Sequence, residues 1–480
     1  VGLGNFLRFP GLVADKETGG GAFLIGSVGN SALINVQLGG NSTTNVTNRA
    51  VVDMSGLGSF YAGLAGGLFR VGDATNANGG NGGGAGSLLI LAPTSTIVAA
   101  SFLMDSPTSD ITHTVRLGTG VNTFNVNTLT IGGERSGALV NFYDGSLGSL
   151  VVRARAGTGR TAINVGYSNA TTGAVPTSTA DFTGHTIDIL ASTLAIGGRT
   201  GADGASFTAA VSMSAGTLDA TSVILADRRN TTAAGLTGTT TGTLNVSGGT
   251  FIVGNTGLSV AVNTSNQPTN ATVGTINISG GTVTFNGPVT LGGSTTTGNN
   301  SSASLLITGG TVDVRNSIAK GIGNGFASVT STIQLNNATL DLNGFTIGTL
   351  TRPINNMLLE SGTLKNVTEI NGGGAFSKTT AGTLILEGNN GFSGQFTIAA
   401  GTLQVGTGST TGTLGSGPMV NNASLIINRA GTYAAANAIS GTGTLTLSGT
   451  GTVFLTGASS YDGLTTVSSG LLAIGHATAL

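Results

Sequence analysis

An apolar run closed by a small residue returns along this chain roughly every thirty residues, and that recurrence restricts the fold to stacked coils. The runs read Leu68-Phe69-Arg70-Val71-Gly72, Phe102-Leu103-Met104-Asp105, Leu129-Thr130-Ile131-Gly132 and Ile163-Asn164-Val165-Gly166. They continue as Leu194-Ala195-Ile196-Gly197, Val223-Ile224-Leu225-Ala226, Leu258-Ser259-Val260-Ala261 and Val289-Thr290-Leu291-Gly292. With Val71, Met104, Ile131, Val165, Ile196, Leu225, Val260 and Leu291 taken as equivalent, the successive spacings are 33, 27, 34, 31, 29, 35 and 31. Inside each run, apolar residues alternate with polar ones. Period-2 patterning within a fixed long period describes a solenoid in which each repeat is one coil.

The unit is clearest at Gly242-Thr243-Leu244-Asn245-Val246-Ser247-Gly248-Gly249-Thr250-Phe251-Ile252-Val253. It recurs at Gly274-Thr275-Ile276-Asn277-Ile278-Ser279-Gly280-Gly281-Thr282-Val283 and at Ser304-Leu305-Leu306-Ile307-Thr308-Gly309-Gly310-Thr311-Val312. The glycine pair marks a sharp corner, because glycine reaches positive φ at little cost. A third strand and then a long polar connection follow, as at 76–86, 168–179, 228–242 and 294–302. Three short strands per coil of about 30 residues, with the right-handed crossover that parallel strands favour, predict an all-β, right-handed parallel β-helix. Three regions are expected: 1–50 as an N-terminal cap or docking segment with the first coils, 51–321 as regular solenoid with long loops at one corner, and 322–480 as a continuation on a longer template.

Composition narrows the function classes. Only 8% of residues are charged, against about 25% in ordinary domains. With 18 basic and 19 acidic residues spread thinly, no basic patch exists for nucleic acid or an anionic membrane. Apolar residues make up 39% and are patterned, so the glycine-rich chain can bury a core. There is no cysteine, which rules out a disulfide framework and is compatible with bacterial secretion. No apolar stretch reaches the roughly 18 residues a membrane helix requires. The chain starts at Val1 and stops at Leu480 within a repeat, and is read as a piece of a longer polypeptide.

A specific resemblance lies in the C-terminal third. Gly382-Thr383-Leu384-Ile385-Leu386-Glu387-Gly388 leads through Phe392-Ser393-Gly394 to Gly401-Thr402-Leu403-Gln404-Val405-Gly406, and a similar template lies 69 residues on at Gly451, Gly457, Tyr461, Gly463, Gly470 and Gly475. Together with Gly443-Thr444-Leu445-Thr446-Leu447 and Tyr461-Asp462-Gly463, this resembles the autotransporter-associated β-strand repeat over residues 374 to 480. The resemblance implies an extracellular or bacterial cell-surface β-helical passenger. The N-terminal Val1-Gly2-Leu3-Gly4-Asn5-Phe6-Leu7-Arg8-Phe9-Pro10 is also similar to the first membrane helix of sodium-coupled neurotransmitter transporters. There Asp15-Lys16-Glu17 interrupts the apolar run, so a cap or docking role is the better reading.

Chemistry-bearing residues are sparse. Polysaccharide cleavage needs clustered carboxylates or a calcium-supported base. The three histidines, His113, His185 and His476, lie far apart in sequence. His185, with Asp181 and Asp188 nearby, is the best single candidate, and its other reading is a solvent-facing strand or turn residue. The glycines of 78–84 lack the aspartates of a calcium nonapeptide, and Gly201-Ala202-Asp203-Gly204 is a lone turn. No catalytic, cofactor or metal site is therefore assigned. Asp73, Asp105, Glu134, Arg135, Arg199, Asp227, Arg228 and Arg229 fall just after the recurring core position and are expected to stack at one corner as a shallow ladder of opposite charges. The sequons at Asn41, Asn45, Asn245 and Asn277 fit chance in so Asn- and Thr-rich a chain.

These readings point to a secreted, non-enzymatic, structural or adhesive β-solenoid, a subunit of a bacterial extracellular fibre or surface stalk that self-associates head to tail. The alternatives are a glycan- or host-surface-binding module using the stacked loops, and a polysaccharide lyase or hydrolase.

Overall fold

In a computed structural model, the described residues are 51–64, 66–72, 86–106, 110–143, 147–168, 177–200, 206–229, 238–265, 270–294, 299–323 and 328–478, together with the strand backbones Phe6–Arg8, Ala22–Gly26 and Asn35–Leu38. Most of the four long connections, and most of the segment 1–50, lie outside them. Two compact units are distinguished. One comprises Val1–Ile276, Gly292–Ser302 and Gly323–Val329, the other Asn277–Leu291, Ala303–Ile322 and Thr330–Leu480. Among the described residues every secondary-structure element is a strand except one 3-10 turn at Asn371–Gly373.

In the first unit, alternating sequences form parallel ladders in which equivalent residues of successive coils pair directly. Met104 pairs with Ile131, Ile131 with Val165, Val165 with Ile196, Ile196 with Leu225 and Leu225 with Val260. Six of the eight residues that mark the period in the sequence are thus one continuous column, with intervals of 27, 34, 31, 29 and 35 residues. None is more than 2% exposed.

Two further columns complete the coil. Ile97, Phe124, Val152, Ile189, Leu218 and Phe251 stack on a second face. Val115, Val140, Ala180, Val211 and Leu244 stack on a third. The expected parallel β-helix with three strands per coil is observed. Single strands such as Ser178–Arg199 run through all three faces, turning at Gly184, where φ is 80°. Inside, Phe69, Phe102 and Phe124 stack nearly parallel, with centroids 5.2 and 5.0 Å apart. The N-terminal strands join the same ladders: Phe6–Arg8 pairs with Asn35–Leu38, which pairs with Leu68–Val71.

In the second unit the column is Val312, Leu340, Leu364, Leu386, Val405, Ile427, Leu447 and Val467. Its intervals shrink from 28 and 24 to 22, 19, 22, 20 and 20 residues. The longer template expected for 322–480 is corrected by this: each coil from Leu340 onward is shorter than any in the first unit's column. The 69-residue recurrence is also not a whole number of coils. Thr383–Glu387 lies in the ladder of Leu364 and Val405, whereas Thr452–Leu455, 69 residues later, lies in a separate ladder with Thr432–Ala435 and Leu471–Ile474. The Gly-Thr-Leu strand at Gly382 and its Gly-Thr-Val counterpart at Gly451 thus occupy two different faces.

Candidate functional surface

The polar side chains with most to offer lie where the long connections depart. After the buried column the chain bends at a positive-φ glycine, Gly132, Gly166 and Gly197 in successive coils. The next residues form two parallel columns. Outward are Gly133, Tyr167, Gly198 and Asp227, and inward are Ser168, Arg199, Arg228 and Asn263. The charged residues do share one corner. The sequence expectation of an exposed ladder of opposite charges is nevertheless overturned, since all four inward residues are 0% exposed and two arginines are adjacent. Burial lowers both guanidiniums to about 10, and Arg228 adds to the shift of Arg199. Both remain charged at neutral pH. Arg228 donates from Nη1 to the Gly238 carbonyl at 2.7 Å.

Opposite charges pair outside the inward column. Arg229 Nε meets Asp227 Oδ2 at 2.6 Å within one coil. Arg70 meets Asp105 at 3.1 Å and Arg135 meets Asp110 at 2.7 Å. On other outward surfaces, Arg153 and Asp188 approach to 2.5 Å and Arg160 and Asp219 to 2.7 Å. Asp73, Asp203, Asn41 and Asn45 lie outside the described residues. Asn245 sits in a strand and donates to Ser212 Oγ at 3.0 Å.

Neither sequence reading of His185 describes its place. The ring is buried and stacked on Phe142, with centroids 3.7 Å apart, while Asp188 is held by Arg153 and Asp181 accepts from Thr183. Strand alternation turns the imidazole inward and leaves the carboxylates outside, so no acid–base constellation forms. His113 is 1% exposed, accepts from the Ser87 amide at Nδ1 (3.2 Å), and is lowered to about 4 by burial and then by Arg70. Asp105 is raised to about 6, chiefly by burial, with Arg70 opposing and Glu134 reinforcing the shift. Its neighbourhood is a buried polar cluster. Among the described residues no group of three or more His, Asp or Glu side chains could hold a metal ion.

Sequence reasoning missed Tyr167. The signal was present in the alignment of coils: Ile131-Gly132-Gly133 and Ile196-Gly197-Gly198 carry glycine where Val165-Gly166-Tyr167 carries an aromatic ring. That ring is 40% exposed.

In the second unit, the repeat that resembles the autotransporter type has a geometric meaning. Thr383, Leu384, Ile385 and Leu386 pair with Thr402, Leu403, Gln404 and Val405, and Thr452 to Leu455 pair with Leu471 to Ile474. One motif therefore encodes a strand, a turn around the coil, and the strand stacked directly upon the first. Residues 376–405 and 440–474 match the family described as Passenger-associated-transport-repeat, and each match contains such stacked strand pairs on more than one face. The chain carries autotransporter-type passenger repeats. A segment of 81 residues, 17% of the chain, is 56% identical to the adhesin BmaC autotransporter of Brucella suis biovar 1 (strain 1330). The chain spans about 2% of the length of that curated relative. No solved structure matched. These passenger repeats mark an extracellular or cell-surface chain. No helix among the described residues is long and apolar enough to cross a membrane.

Proposed function

We propose that this chain is a surface-displayed adhesive scaffold, a β-solenoid whose buried columns hold outward Thr, Ser and Asn faces and one loop-bearing corner at fixed spacing. The observation that carries this reading is that each passenger-repeat match contains strands stacked directly one upon the other, since stacked coils add length without adding chemistry. It is supported by the similarity to an adhesin autotransporter. The same strands present open edges wherever coil stacking ends, which favours head-to-tail self-association into a fibre.

The reading is tested by displaying the chain on a non-adherent bacterium. Protease-accessible surface exposure with increased binding to host cells or matrix is expected. Full exposure with no gain in adhesion rejects the adhesive role. Electron microscopy of the purified chain tests the fibre: filaments that lengthen with concentration are expected, and monodisperse particles throughout reject self-association.

A second reading, a binding module that uses the loops at this corner, is favoured by the register of Ser168, Arg199, Arg228 and Asn263, which stand in one column shortly before successive connections. Trimming 169–176 and 230–237 to short glycine-serine links should then abolish adhesion while leaving the β-sheet circular dichroism intact.

A further inference from the structure

We propose that the Tyr167 corner is a saccharide-binding subsite, in which the phenol ring takes the C–H face of a pyranose and the Asp227–Arg229 pair takes hydroxyl or carboxylate groups of the next sugar. This deepens the adhesive reading and rests on it for biological meaning, though not for the binding itself.

Four observations support the assignment. Tyr167 stands between Gly133 and Gly198 in the outward column, so its paired residue in each neighbouring coil has no side chain to cover the ring. The ring is held in place. A Cβ added at Gly198 would lie 2.5 Å from Tyr167 Cδ2 and 3.0 Å from Cε2, so the aromatic edge rests directly on the glycine. The side chain is nonetheless 40% exposed. An aromatic ring fixed before binding loses little conformational entropy when a ligand stacks on it.

The third observation is the step to the polar partners. The column continues from Gly198 to Asp227, two coils beyond Tyr167, a rise of roughly 9.6 Å at the usual strand spacing. That is the rise of the backbone, and the ring itself leans one coil along it, onto Gly198, toward the polar partners. The fourth is the chemistry at that step. Asp227 Oδ2 accepts from Arg229 Nε at 2.6 Å, and the Arg229 side chain remains 57% exposed. Its guanidinium can donate to a sugar oxygen while one edge stays on Asp227, the fixed fork that suits hydroxyl pairs and carboxylates. Asp227, through its hydrogen bond and its charge, holds Arg229 protonated. Aromatic platform and polar fork thus share one outward column at a separation set by the fold.

The test uses the whole chain and two probes, uncharged cellohexaose and the uronate-containing hyaluronan hexasaccharide. Saturation-transfer NMR should show transfer to pyranose C–H protons. Tyrosine emission should change in parallel, and it can be followed because the chain has five tyrosines and no tryptophan. Binding of cellohexaose alone identifies hydroxyl recognition, and preference for hyaluronan identifies carboxylate recognition by Arg229. Either outcome supports the subsite. Tyr167→Ala should weaken binding about tenfold, a loss of about 1.4 kcal/mol. Tyr167→Phe keeps the ring and should lose about threefold at most. Gly198→Ala, which displaces the ring, should weaken binding with little change in melting temperature. Tyr143→Ala, at another exposed tyrosine (36%), should leave binding as it was. Absence of transfer from both probes, or equal affinity in Tyr167→Ala, overturns the proposal. Adhesion that survives such a result would reject the subsite alone. Saccharide binding in a chain that confers no adhesion would reject the adhesive reading alone.

Discussion

Glycine and buried titratable groups show how individual residues hold this solenoid. Gly310 has φ of +73°, and a Cβ there would lie 2.4 Å from the Gly281 carbonyl of the preceding coil. Gly310→Ala is therefore strained by its dihedral and by contact with backbone that cannot move aside. A loss of about 1–3 kcal/mol is expected in denaturant unfolding, and an unchanged midpoint would contradict the corner geometry. Phe102 is fully buried between Phe69 and Phe124. Phe102→Ala should cost about 3–5 kcal/mol, the transfer loss and the cavity acting together.

The His113–Asp105 neighbourhood gives a pH dependence with two opposed parts. His113 is depressed from 6.5 to about 4, so the unfolded chain binds more protons in that window and stability rises with pH across it. Asp105 is raised from 3.8 to about 6, so the folded chain binds more protons and stability falls with pH across nearly the same window. The two slopes offset each other in the native protein between about pH 4 and 6. His113→Gln removes one of them. Its stability should then fall as pH rises from 4 to 6, by an amount on the order of 2 kcal/mol. A His113→Gln profile as flat as the parent would show that Asp105 titrates normally.

At the scale of strands, the sequence announced most of what is seen, for a plain reason. In a parallel in-register ladder each coil repeats the inside–outside choice of the one before, so the same apolar positions recur in sequence. Met104 through Val260 could be aligned by eye because they are stacked in fact. Two things were not legible. Asp227, Arg228 and Arg229 are consecutive, and only the register of the ladder decides that Arg228 turns inward onto Arg199 while its neighbours face out. A strand opening on Gly-Thr and an aliphatic residue carries no mark of the face it occupies, since any tight corner accepts it, and so a 69-residue recurrence concealed coils of about 20.

For the molecule as a whole, nearest-neighbour stacking sets the expectation for deletions. Thr383 pairs with Thr402, so removing residues 383–401 takes out one coil and joins Gly382 to a strand already in the right register. The shortened chain should fold with unchanged β-sheet content and only a modest drop in melting temperature, because each coil depends on its two neighbours. Removing 383–392 instead breaks register and should yield insoluble protein. Equal solubility of the two deletions would show that the C-terminal coils are not independent additive units.

The recurrence of apolar runs every thirty residues, with alternation inside it, was enough by itself to determine a coiled, parallel, three-faced core, because burial in a ladder is local in sequence and repeats. Which polar groups lie inside the corner, which aromatic ring is left uncovered beside glycine, and where the coil shortens were decided only by tertiary register. Those properties belong to pairs of residues some twenty to thirty-five positions apart, and no single coil contains the information.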